Sequence, residues 1–369
     1  MPTLIVSTAG TSTFTNDAPK DTTALLRRTA NHSTAAVARL PDDERQSVES
    51  WIAFRQQELA QADIGAARKW SAELNGILAY YDGQLARGRG DHHILLTTDT
   101  HQGRAAGAAV ADWLRARGLS AEDRALDGLT TSDLDAFREG VSALITFCSE
   151  EVQAYRARGH RVVFNLVGGF KAVHAYAQSL GMIYADELLY LFEAPDSPLL
   201  RIPRLPMTLD LARIVNDHLD ALRILTLRLP IDDDTLRTVP ETLLEPLSDP
   251  PQLSVWGAAA WREHHLTHYG ARILPSPSPR VVFGPEFHHS TNQLAADRME
   301  IVNRRIDQLA RYQHTNRSEN PSSLDVKPIH VGPYGATHEA DAWADGAAMR
   351  LFLRFEDERL IILRLGKHL

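Results

Sequence analysis

Two short segments carry the residue types that would hold a phosphate. Ser7-Thr8-Ala9-Gly10-Thr11-Ser12 follows an apolar run and ends in small hydroxylated residues, so backbone N–H groups and hydroxyls can converge on an anion. Asn165-Leu166-Val167-Gly168-Gly169-Phe170-Lys171 follows a second apolar run and opens a helical pattern. There, glycines permit close backbone approach, a helix N-terminus favours negative charge, and Lys171 adds a cation. Neither segment has the spacing of GxGxxG or GxxxxGK[ST], which disfavours a dehydrogenase or a P-loop NTPase. Taken singly, each is equally a tight βα turn.

A third constellation lies near the C-terminus. Along Met349–Phe355 alternate residues share a face, which places Arg350, Phe352 and Arg354 together and Leu351, Leu353 and Phe355 toward a core. Two arginines flanking a ring could hold a phosphate and stack a base. The partner run ends in Gly366-Lys367-His368-Leu369. The alternative is an exposed hairpin, salt-bridged through Glu356, Asp357 and Glu358. His264, His265 and His268 have metal-like helical spacing, but without HExxH or a carboxylate set no metal is expected there. His92-His93 and His288-His289 read as surface or strand-end pairs.

The elements that must position these residues are of an α/β type. From Met1 to about Pro206, strands at Leu4–Thr8, His93–Thr98, Arg161–Val167 and Leu188–Glu193 alternate with helical patterns, which predicts a parallel sheet covered on both faces. About eighty residues separate the first two strands, too many for a βα crossover, and predict an inserted helical layer. Trp70, Leu74, Ile77, Leu78, Tyr81 and Leu85 repeat at helical spacing, as do Val48, Trp51, Ile52 and Leu59. Residues 207–279 read as a helical, winged helix-turn-helix-like module, with helices over 209–227 and 254–269, the second capped by Ser254. Pro275-Ser276-Pro277-Ser278-Pro279 reads as a stiff linker and a domain boundary. Residues 280–369 then supply a strand at Arg280–Phe283, a helix near Leu294–Tyr312 and a closing hairpin.

Composition narrows the class. The chain has 369 residues, 44% hydrophobic and 23% charged, which predicts two or three globular domains. Its single cysteine, Cys148, permits no internal disulfide and fits a reducing compartment. The opening strand carries no leader pattern and no apolar run approaches a membrane span, so a cytoplasmic protein with no membrane partner is expected. A net charge of −8 argues against a broad basic surface for nucleic acid.

STAGTS after the first strand, TTDT at Thr97–Thr100, NLVGGFK and the IPRLP stretch together resemble the CRISPR-associated Rossmann-fold (CARF) sensors, over residues 1–206. The resemblance implies a doubly wound sensor that acts as a homodimer and binds a cyclic oligoadenylate across its two-fold axis, with cyclic tetra-adenylate the expected activator. Thr8, Gly10, Thr11, Ser12, Gly168, Gly169, Phe170 and Lys171 would line the pocket. Asn16, Thr97 and Asp99 are further candidates, Asp99 being equally able to cap the helix beginning near Gln102. Some members also cut the ring, a role open to Thr11 and Ser12.

Residues 280–369 are similar to the RelE-type mRNA interferases, an α+β family. Arg350 matches that family's arginine after tyrosine, Lys367 the lysine of its terminal GK, and His368 a position usually held by arginine; Arg354 shares the face of Arg350. The family's upstream paired lysines and C-terminal tyrosine helix are missing, and His338 and Glu339 are candidates to replace them as acid and base. The implied reaction is metal-independent: a ribose 2′-OH attacks the adjacent phosphate while cations stabilise the phosphorane. The combined expectation is a ring-activated endoribonuclease needing no cofactor, acting on mRNA in the ribosomal A site in type III CRISPR defence. Two alternatives remain: a CARF transcription regulator reading DNA through the helical module, and a ring nuclease with a C-terminal lid.

Overall fold

The computed structural model describes residues 1–129, 133–192, 198–206, 210–246, 248–330 and 332–367. Glu193, Met207, Leu209 and His368, which bear on expected elements or sites, lie outside the described residues. The chain divides into two compact units, Met1–Leu209 and Asp210–Leu369.

The first unit is built on a six-stranded sheet: β1 (Thr3–Thr8), β2 (His92–Thr97), β3 (Ser120–Ala125), β4 (Arg161–Asn165), β5 (Glu187–Leu191) and β6 (Leu199–Pro203). Their spatial order is β3-β2-β1-β4-β5-β6, parallel except for β6. This is the Rossmann-like order, whose direction reverses between β1 and β4. β1 is buried at every position because helices cover both faces of a parallel sheet, and its sequence is accordingly a continuous apolar run. Ile5, Leu95, Val163 and Leu189 pack on one side against Leu74, Ile77, Val110 and Trp113. On the other side the helix Lys171–Tyr184 comes so close that a Cβ on Gly181 would stand 3.1 Å from Leu188 and Phe164.

The expected helical layer between β1 and β2 is present, and includes the helices Asp42–Gln61, Ile64–Trp70 and Ala72–Tyr80. The run from Trp70 to Leu85 is not one helix. Ser71 ends one helix and N-caps the next, accepting from the Leu74 N–H at 3.2 Å. His93 also departs from expectation: it is wholly buried, with Nε2 3.2 Å from the Tyr81 hydroxyl. Burial, reinforced by the nearby His92, holds its pKa down to about 3. Cys148 is buried, which pushes its thiol pKa up.

The second unit holds a five-stranded sheet in the order β7-β11-β10-β9-β8, formed by β7 (Val281–Phe283), β8 (Lys327–Pro328), β9 (His338–Trp343), β10 (Met349–Glu356) and β11 (Arg359–Lys367). β8 to β11 pair antiparallel, and β7 runs parallel to β11. The helix Ala296–His314 covers one face through Val302, Ile306 and Leu309.

The helices of residues 211–271 enclose their own cluster of Val215, Leu222, Trp261 and Tyr269. The expected helix over 209–227 is two, Leu211–Asp217 and Leu219–Thr226. Among the described residues of this module, Leu244 and Leu253 form an isolated antiparallel bridge. Ser254 caps Val255–Ala271 as expected, accepting from the Gly257 N–H.

The proline segment is not a free tether within this unit. Leu274 is buried, its N–H donates to Asn303 Oδ1, and the Pro275 carbonyl accepts from Arg223 at 2.7 Å. Arg223 also donates to Asp307 at 2.7 Å, and the Tyr269 hydroxyl donates to the same carboxylate. Compositional stiffness thus coincides with a packed connection between helical module and sheet, both inside one unit.

Candidate functional sites

The two phosphate-type loops meet. They leave the carboxyl ends of β1 and β4, the neighbours at which strand order reverses and where ligands of open α/β sheets bind. Thr8 donates its hydroxyl to the Gly168 carbonyl. A Cβ on Gly10 would stand 2.9 Å from the Gly169 nitrogen, so the glycine is required by the approach of one loop to the other. Gly169 itself has φ +119°, a conformation costly to any side chain.

Between the loops sits a carboxylate. Glu73, in the first turn of Ala72–Tyr80, is wholly buried. It accepts from the Gly10 N–H at 2.7 Å, the Ser71 hydroxyl at 2.6 Å and the Ser12 hydroxyl at 3.3 Å. A Cβ on Gly168 would collide with its Oε1 at 2.1 Å. Asn165 fixes the helix from below, its Nδ2 donating to the Glu73 carbonyl and to Ser7 Oγ. The loop thus cradles a carboxyl group, and that group is the protein's own.

Thr11 and Ser12 are half-buried at this junction, Phe170 is half-buried, and Lys171 is exposed at the start of its helix with no carboxylate partner among the described residues. Asn16 flanks this junction, its N–H donating to the Ser12 carbonyl, while Thr97 and Asp99 stand at the end of β2 and just beyond it. Asn16 ties its loop to the carbonyls of Lys69 and Trp70. Thr97 is buried, its methyl packed where a Cβ on Gly107 would go. Asp99 pairs with Arg104 at 2.6 Å, and Thr100 rather than Asp99 caps the helix His101–Arg115.

Residues 68–205 match a family model described as CRISPR-associated protein (Cas_APE2256). The match covers less than half of the chain. It takes in Glu73 and the Gly168–Lys171 loop but begins downstream of the first loop. No curated protein matches the chain.

In the second unit, β10 alternates as expected: Leu351 and Leu353 enter the core, and Phe352 lies on the opposite face. Arg350, however, is 7% exposed and its Nε lies 3.1 Å from Asp341 and 3.9 Å from Glu339. The Asp341 contact has ion-pair distance without hydrogen-bond alignment, so this is a buried charge cluster rather than a free cation. Lys327 adds a second positive charge 3.7 Å from Glu339.

His338 and Glu339 stand on opposite faces of β9. Successive strand residues point to opposite faces; His338 meets the Phe355 ring edge-on, while Glu339 faces Arg350. Arg354 pairs with Glu356 at 2.6 Å. Lys367 lines a cleft of about 500 Å³ together with Ser290, Tyr334, Phe352, Arg364 and Gly366.

Among the residues of that cleft with no counterpart among the expected ones are Arg364 and Tyr334. The Arg364 guanidinium lies 4.8 Å from the centroid of the Tyr334 ring, and Tyr334 meets Phe352 edge-on at 5.9 Å. The signal that would have found Arg364 is a bulge: pairing shifts from Phe352↔Arg364 to Leu353↔Ile362, leaving Leu363 over. The bulge brings Arg364 to the face of Phe352, where unbroken alternation from Leu360 and Ile362 would not place it. The histidines of Val255–Ala271 are accounted for locally, His265 stacking on Trp261 and His264 lying beside Glu263. Burial lowers the pKa of His268.

Proposed function

We propose that the chain is a CARF sensor joined to a RelE-like effector: a metal-independent endoribonuclease, switched on by cyclic tetra-adenylate, that cuts mRNA on the ribosome in type III CRISPR defence. The observation that carries this reading is the junction of the two loops at the reversal of a Rossmann-like sheet, in a unit much of which is similar to a CRISPR-associated family. Because Glu73 already holds the Gly10 N–H, ring phosphates would be met by Thr11, by Lys171 and by the first N–H groups of the helix Lys171–Tyr184. In the second unit the pattern of a strand, helices and an antiparallel hairpin accompanies Arg350, Glu339 and Lys367 on or beside one sheet. Arg350 and Glu339, buried in one charge cluster, would hold β9 and β10 in place, while Lys367 would stabilise the phosphorane as the 2′-oxygen bonds to phosphorus and the P–O5′ bond breaks, the 2′-OH proton passing through water to the leaving 5′-oxygen.

The test is ring binding and RNA cleavage by the full chain. In a homodimer Lys171→Ala removes two phosphate contacts of ~1.5 to 3 kcal/mol each, so ring affinity should fall ~10² to 10⁴-fold. Ribosome-bound mRNA should be cut in the presence of the ring and spared without it. Equal cutting in both conditions would remove the sensor from the proposal.

A further inference from the structure

We infer that the cleft around Tyr334 is the seat of one nucleotide of a single-stranded RNA, its base stacked on Tyr334 and its phosphate held by Arg364 and Lys367. This rests on the proposed reading of the second unit as an RNA-cutting domain, and assigns it a binding residue from outside the hairpin.

The first argument is charge. The chain is acidic overall, and the arginines of β10 are spent on carboxylates: Arg350 on Asp341 and Glu339, Arg354 on Glu356. Arg364 and Lys367 have no carboxylate partner among the described residues, and both line the same cleft. Unneutralised cations facing one cavity are what a phosphodiester needs.

The second argument is the effort with which the aromatic ring is presented. Tyr334 is 56% exposed although it is a large ring beside an apolar patch of Ala336, Phe352 and Leu363. It is held there by a left-handed backbone, φ +61°, a conformation uncommon for an aromatic residue. Gly335 follows at φ +75°, completing the sharp turn. The Phe352 ring lies over Gly366, where a Cβ would meet it at 2.7 Å, and supports Tyr334 from beneath.

The third argument is the bulge. It sets Leu363 and Arg364 on the same face in succession, so Leu363 joins the apolar floor and Arg364 reaches the tyrosine ring. Bulges re-aim side chains in this way next to binding sites. A cleft of about 500 Å³ has room for a nucleotide. Stacking on a phenol beside a guanidinium is indifferent to base identity. The seat would therefore hold the strand without choosing its sequence.

The experiment measures binding of a short fluorescent single-stranded RNA to the full chain, with saturating cyclic tetra-adenylate, over a series of salt concentrations. Tyr334→Ala should weaken RNA binding about 5- to 150-fold, and Tyr334→Phe should restore it. Arg364→Ala and Lys367→Ala should each lower the slope of log K against log salt by ~0.7. Failure of the wild type to bind RNA, or unchanged affinity in both Tyr334→Ala and Arg364→Ala, overturns the seat. So does loss of ring affinity in these variants in place of RNA affinity, which would make the cleft a second ring site. The cleavage reading fails separately: RNA held through Tyr334 but never cut keeps the seat and removes the ribonuclease. Ring-stimulated cutting with unchanged RNA affinity in Tyr334→Ala does the reverse.

Discussion

A buried carboxyl group is tolerated only where hydrogen-bond partners converge on it, and among the described residues Glu73 accepts from a backbone N–H and two serine hydroxyls. Glu73→Gln replaces one acceptor oxygen by an NH₂ group, which must meet either the Gly10 N–H or serine hydroxyls whose oxygens already accept from Ala72 and Leu74, at a cost of ~1.5 to 3 kcal/mol for the charge-assisted hydrogen bond lost. For a unit of this size that corresponds to a fall in Tm of ~3 to 12 °C. Calorimetry of the variant checks it, and an undiminished Tm would mean that the carboxylate does not hold the loops together. The residue was hidden by periodicity: the apolar spacing of Trp70 through Leu85 reads as one helix, and inside one helix Ser71 and Glu73 are surface residues. Once Ser71 is seen to cap, Glu73 falls in a first turn. The glycines, by contrast, were legible as positions of close approach. What the sequence could not say is that they approach each other and Glu73.

At the scale of elements, legibility followed burial pattern. β1 and β4 announce themselves as apolar runs because parallel strands are covered on both faces. β3, Ser-Ala-Glu-Asp-Arg-Ala, is a polar edge strand and leaves no such mark, and β6 is an edge strand ending in proline. In the second unit the link that matters is also invisible to local pattern, since Arg223, Tyr269 and Asp307 come from three helices far apart in sequence. Arg223 is 1% exposed. Arg223→Met should therefore strand the Asp307 carboxylate and free the Pro275 carbonyl, destabilising the unit by ~3 to 5 kcal/mol. Chemical denaturation should show that loss as a lower midpoint with an unchanged slope. The double variant Arg223→Met, Asp307→Leu should recover most of the stability, because two apolar groups of similar shape leave no charge unpaired. A double variant no better than the single one would place the loss in packing.

For the whole molecule the proposed function raises the question of what would pass a signal from a bound ring to the second unit. A stiff segment at Pro275–Pro279 suits a lever on compositional grounds, but Leu274 and Pro275 are fastened to Asn303 and Arg223 inside the second unit. A segment clamped at one end to the core it is meant to move has no independent swing. Replacing Pro275, Pro277 and Pro279 with glycine should then act mainly on the unfolded chain, at ~0.4 to 1 kcal/mol per site, and lower the Tm of the second unit by roughly 3 to 10 °C. The ratio of RNA cleavage with and without cyclic tetra-adenylate should be unchanged at a temperature where both proteins are folded. Switching a population from ~1:99 to ~99:1 needs ~5.5 kcal/mol of differential ring binding, and that must come from contacts in the first unit rather than from this segment. A triple variant that folds with wild-type stability yet no longer responds to the ring would overturn this and return the prolines to the role of a lever.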